Sequence, residues 1–129
     1  MATAPKISDA EWHVMEVLWE RHPATAAEVA EHLADPHGWS ENTVKTMLGR
    51  LVKKGALRFE RDGKRYLYEP AVARESCVKA QTRGFVERVF GGEASPMLAW
   101  MLRESRLSSA ELDELQELID ARRPGGKRR

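Results

Sequence analysis

The 129-residue sequence contains one cysteine, Cys77, so no internal disulfide can form and a cytoplasmic setting is expected. A lone cysteine on a helix reads as a small packed hydrophobe rather than a redox centre. No apolar run approaches the roughly 20 residues of a membrane helix, and the opening MATAPKISDAEW has no apolar signal core. No membrane insertion is expected. The signatures GxSxG, HExxH and the P-loop are missing, and acidic residues stand mostly at helix caps or among cations, so the chain is not expected to be an enzyme. His13, His22, His32 and His37 show no Cys/His pair spacing of a zinc site, so neither metal nor cofactor is expected. Four tryptophans raise stacking on single-stranded nucleic acid. Trp12 and Trp19 have apolar neighbours at helical spacing, which assigns them to a core instead.

What is present is a soluble composition, 42% hydrophobic and 32% charged, with an uneven charge distribution. Residues 1–39 hold two Lys/Arg against seven Asp/Glu, whereas residues 40–66 hold eight against three. A concentrated basic segment is the footprint that phosphate binding needs, because each neutralised phosphate releases counterions. Within it, SENTVKTMLGRLVKKG places Val44, Met47, Leu48 and Leu51 on one helical stripe. The opposite face carries Asn42, Lys45, Thr46, Gly49, Arg50 and Lys53, with no acid among them, whereas a merely solvated face mixes both signs.

Three helix starts share one pattern: Ser8 before Glu11, Thr25 before Glu28 and Ser108 before Glu111, each a capping box. Helices are predicted over about 9–21 and about 26–34, the second with Ala27, Val29, Ala30 and Leu33 inward and the turn residues DPHG after it. A third runs between the cap Ser40 and the stop Gly55. Two short strands then flank Asp62-Gly63, a strong hairpin signal. The predicted fold class is mainly α with a small β-hairpin: a winged helix-turn-helix over residues 1–70, followed by a three-helix dimerisation domain over 71–123 and a disordered basic tail over 124–129.

The C-terminal helices are predicted near 72–90, 96–104 and 109–122. They hold too few residues for a self-sufficient core. Either they pack onto the first domain or two copies interleave as a homodimer. The interface would then comprise Val78, Phe85 and Val89 from the first helix, Leu98, Trp100 and Met101 from the second, and Leu112, Leu115, Leu118 and Ile119 from the third.

In a helix-turn-helix the second helix of the motif enters the major groove. Here that offers Asn42, Thr43, Lys45, Thr46 and Arg50 to base edges, since amide, ammonium, guanidinium and methyl groups each suit particular bases. Lys53, Lys54, Arg61, Lys64 and Arg65 would touch the phosphate backbone and fix position. Three other readings stand beside this one: a solubility face on a structural helix, a winged-helix protein-interaction module docking through the same helix, and a regulator that senses an effector directly through Cys77 or the histidines.

ISDAEWHVMEVLW followed by SENTVKTMLGRLVKKGALRFERDGKRYLYEP resembles the penicillinase-repressor family, the BlaI/MecI/CopY-type bacterial repressors. The ordered set of AEW, T-x-x-T-x-L-x-R-L from Thr43 to Leu51, the Tyr-x-Tyr strand and the Gly91-Gly92 break carries the likeness over nearly the whole chain. This resemblance implies a homodimeric repressor on an inverted-repeat operator of the TACA/TGTA type, with the residues above in the major groove and on the wing. It also implies a membrane sensor-protease as a partner, which in β-lactam-responsive members cuts an Asn-Phe bond. Trp100-Met101 occupies the corresponding position here. The cysteine-rich tail of copper-responsive members has no counterpart in PGGKRR, so copper sensing by that route is not expected.

Overall fold

The computed structural model describes residues 4–125. Helix α1 (Asp9–Glu20) starts at the Ser8 cap, where the Ser8 hydroxyl accepts the Glu11 N–H and the Glu11 carboxylate accepts the Ser8 N–H. It stops before His22-Pro23, as a residue preceding proline disfavours the helical region. The same reciprocal cap at Thr25 and Glu28 opens α2 (Ala26–His37).

The end of α2 corrects the sequence reading. Residues 35–37 are helical rather than turn, and Pro36 lies inside the last turn. One missing N–H near a helix end is a small loss, and the left-handed Gly38 supplies the stop by donating to the Ala34 carbonyl at 2.7 Å. The inward face differs as well: Ala26 is buried and Ala27 exposed. Ala26 lies three, four and seven positions before Val29, Ala30 and Leu33, so it shares their stripe.

Helix α3 (Glu41–Lys54) runs between the Ser40 cap and Gly55, whose φ of 86° ends it. Val44, Met47, Leu48 and Leu51 are all buried. They meet Val14, Met15 and Leu18 of α1 and Val29 and Leu33 of α2 in one core, which Leu57 and Tyr68 close. Trp12 and Trp19 pack edge to face at the rim of that core, 5.2 Å between centroids.

Strands β1 (Leu57–Asp62) and β2 (Arg65–Pro70) pair antiparallel, with Arg61 opposite Tyr66 and Asp62 opposite Arg65. Gly63 turns the hairpin at φ 68°. A further rung was not foreseen. Ala24, in the link between α1 and α2, exchanges two backbone hydrogen bonds with Tyr68, at 3.0 and 2.8 Å. The hairpin is thereby tied to the helices at its inner strand.

Helix α4 (Arg74–Phe90) starts two residues later than predicted, because the preceding backbone is held elsewhere. The Ala71 N–H donates to the Ala56 carbonyl, and Trp19 Nε1 donates to the Val72 carbonyl. Helix α5 (Ala94–Glu104) starts two residues earlier, with Pro96 in a first turn that needs no N–H donors. Helix α6 is Ser109–Arg122. The chain forms two compact units, and the division falls inside α4 between Gly84 and Phe85. The first unit contains the core, including Cys77 of α4.

In the second unit no described apolar side chain is fully buried; Trp100 is 55% and Leu118 64% exposed. An apolar cavity of about 610 Å³ opens between α5 and α6. The expected basic tail lies outside the described residues from Gly126 onward. No helix among the described residues is long and apolar enough to cross a membrane.

Candidate nucleic-acid interface

The stripe that buries Val44, Met47, Leu48 and Leu51 leaves Asn42, Thr43, Lys45, Thr46, Arg50 and Lys53 exposed along the other side of α3. Ser40 Oγ accepts the Thr43 N–H at 3.1 Å and lies 3.1 Å from the Thr43 hydroxyl, so that hydroxyl belongs to the cap. The Thr46 hydroxyl donates to the Asn42 carbonyl at 3.1 Å. Each threonine therefore engages its oxygen locally and keeps its methyl group for contact. The side chains of Asn42, Arg50 and Lys53 make no hydrogen bond or ion pair among the described residues.

The face is not free of acid. Glu41 Oε2 lies 3.5 Å from Lys45 Nζ, with both side chains about half exposed. Such a surface pair contributes little and exchanges easily for a stronger anion. Its i, i+4 spacing was visible in the sequence.

The hairpin brings further cations beside the N-terminal half of α3. A groove of about 440 Å³ is lined by Glu41 and Lys45 from α3, Lys64, Arg65 and Tyr66 from the hairpin, and Thr25 and Ala27 at the start of α2. Arg65 is paired with Asp62 at 3.0 Å, both exposed. The Arg61 guanidinium lies 5.8 Å from the centre of the Tyr66 ring, a cation–π placement that holds it without neutralising it. The exposed Phe59 and Tyr66 rings are 4.7 Å apart on the same hairpin face. Trp39, just before the Ser40 cap, stacks on His37 at 4.4 Å. Among the described residues no group of three His, Cys, Asp or Glu could hold a metal ion.

Lys54 stands apart from the other sequence-predicted cations. Its ammonium is 2.5 Å from Glu11 Oε1 and 2.8 Å from the Lys6 carbonyl, so this partly exposed side chain already has partners within the protein. Glu11 is 2% exposed. Burial alone would raise its carboxyl, but the hydrogen bond from Lys54, that from the Ser8 N–H and the Lys54 charge outweigh it and hold the group below the usual carboxylate range. A carboxyl whose folded pKa is depressed contributes stability above its unfolded pKa and loses it as pH falls through the folded value. Glu11→Gln is thus expected to flatten the loss of stability below about pH 4.5. Urea unfolding midpoints measured from pH 6 to pH 3 check this, and an unchanged acid limb would refute it.

Known proteins place the chain. The penicillinase repressor family profile matches residues 7–121. The penicillinase repressor of Bacillus licheniformis is 33% identical over 120 residues, covering 93% of this chain and 94% of that protein. The methicillin resistance regulatory protein MecI of Staphylococcus aureus is 31% identical over 116 residues, covering 89% and 94%. Among solved structures, the Bacillus licheniformis BlaI monomeric form in complex with the blaP half-operator superposes with a TM-score of 0.51. It has 39% identity and covers 59% of this chain and 93% of that one. The DNA-binding domain of the repressor BlaI gives a TM-score of 0.53 at the same identity and coverage. On the profile match and these near-full-length relatives, the chain belongs to the penicillinase repressor family, whose members are DNA-binding transcriptional repressors and not enzymes.

Proposed function

We propose that this repressor acts in the cytoplasm as a homodimer on an inverted-repeat operator of the TACA/TGTA type, one winged helix per half-site. The observation that carries the reading is the exposed face of α3 together with the groove beside it, which gathers Lys45, Lys64 and Arg65 around one opening that Glu41 also lines. Asn42, Thr43, Lys45, Thr46 and Arg50 are assigned to base edges. Lys53, Arg61, Lys64 and Arg65 are assigned to phosphates. The BlaI complex with a half-operator, at 39% identity, supports this use of the domain.

The dimer is assigned to the second unit. Its exposed Phe85, Val89, Leu98, Met101, Leu112 and Ile119 leave a single chain with an apolar surface of the kind that marks an interface; a second copy would cover them together with Trp100, Leu115 and Leu118. A two-fold protein then matches a palindromic site. On the inducing side the assigned partner is a membrane sensor-protease. Trp100-Met101 lies within α5, so scission there requires that helix to open locally first.

The test compares the full-length protein on an inverted-repeat duplex and on a scrambled duplex at the same physiological salt. Tighter binding to the repeat is expected, and equal affinities would sink the reading. On the repeat, Lys45→Ala and Arg50→Ala are each expected to cost about 1–3 kcal/mol, measured by fluorescence anisotropy. Lys53→Ala should weaken both duplexes alike, as a phosphate contact does.

A further inference from the structure

The last residue of α3 is anchored in a way no other cation of that helix is. Lys54 Nζ bridges Glu11 Oε1 at 2.5 Å and the Lys6 carbonyl at 2.8 Å. The same Glu11 oxygen accepts the Ser8 N–H at 3.0 Å, inside the capping box of α1. One residue along from Lys6, the Ile7 carbonyl accepts Nε2 of Gln81 from α4 at 2.9 Å. Two consecutive carbonyls leading into α1 are therefore gripped by the end of α3 and by α4. A buried carboxylate such as Glu11 demands its partner, because removing one member leaves an uncompensated charge.

We propose that Lys54 is a positioning residue for operator recognition: by fixing the C-terminal end of α3 on Glu11 and the Lys6 carbonyl, it sets the angle at which the exposed face of α3 meets the bases, without touching a phosphate. This rests on the operator-binding function proposed above. The lever is long. Asn42 lies twelve residues from Lys54, about 18 Å along the helix, so a tilt of about 5° about the anchored end moves it by about 1.5 Å. Flexible cations reaching for phosphates absorb such a shift, whereas hydrogen bonds to base edges do not.

The experiment follows full-length variants on the inverted-repeat and scrambled duplexes across a salt series. Lys53→Met, the comparison, is expected to lower the log–log salt slope by about 0.9 and weaken both duplexes equally. Lys54→Met is expected to keep the wild-type slope while its repeat-over-scrambled ratio falls on the order of tenfold, the scale of one mismatched base pair. Lys54→Arg, which keeps a cation for Glu11, should recover most of that ratio. A slope lowered by about 0.9 with an unchanged ratio would make Lys54 a phosphate contact and overturn the proposal.

Glu11→Gln decides the matter without changing any cation, and serves if Lys54→Met does not fold. A reduced ratio supports the positioning role, and an unchanged ratio with an equal or steeper slope refutes it. Equal wild-type affinity for the two duplexes removes the operator function itself, and this proposal with it, before any variant is compared.

Discussion

Leu118→Asp is expected to convert the proposed dimer to a monomer and to weaken binding to the inverted repeat by about 10²–10⁴-fold, the gain that a second tethered half-site confers. The side chain is 64% exposed in the single chain and borders the cavity between α5 and α6 with Leu98, Met101 and Leu115. In a monomer, aspartate there stays in water and costs the fold little. In the proposed dimer the same carboxylate would be buried among leucines, where an unpaired charge is strongly disfavoured. Light scattering at micromolar concentration reads the mass, and anisotropy on full and half repeats reads the affinity. A variant that stays dimeric, or that loses no more on the full repeat than on the half, would move the interface away from this cavity.

Leu48→Ala is expected to lower the unfolding free energy by about 2–5 kcal/mol, a large fraction of the 5–15 kcal/mol typical of a domain. Leu48 has no solvent exposure and sits where α3 meets the shared core. The loss combines the missing transfer of its methyl groups from water with a cavity that rigid neighbours fill only in part. DNA binding should fall in parallel with the folded fraction rather than with salt. Urea denaturation reads it as a lower midpoint at an unchanged slope. Lys53→Ala, on the exposed face of the same helix, should stay within about 0.5 kcal/mol of wild type.

The contrast between Leu48 and Lys53 explains why much of the first unit was legible in the sequence. An apolar stripe at steps of three and four defines a buried side, and the exposed side follows by geometry, so the placement of Asn42, Lys45 and Arg50 came with the helix itself. The caps at Ser8, Thr25 and Ser108 were legible because donor and acceptor lie within three residues of each other. What stayed hidden was non-local. Lys54 looked like one more basic residue because Glu11 is 43 positions away, and no pattern in the chain links them. Ala24 gave no strand signal because its pairing to Tyr68 is a single rung imposed by packing. Helix α2 outran its prediction because a proline near a helix end removes only one bond, a difference of degree that the pattern DPHG does not encode.

The rung between Ala24 and Tyr68 bears on DNA shape. A hairpin joined to its domain only through its own two ends could swing to follow a wide or a narrow groove. This one is stitched at its inner strand to the link between α1 and α2, so in the proposed complex α3 and the hairpin cations would act as the two jaws of a fixed-gap caliper. A fixed gap makes the duplex do the adjusting, at an energy that depends on how easily its base steps deform. Operators differing only in untouched base pairs, between the groove that α3 would enter and the backbone that Lys64 and Arg61 would grip, should therefore be bound with different strengths.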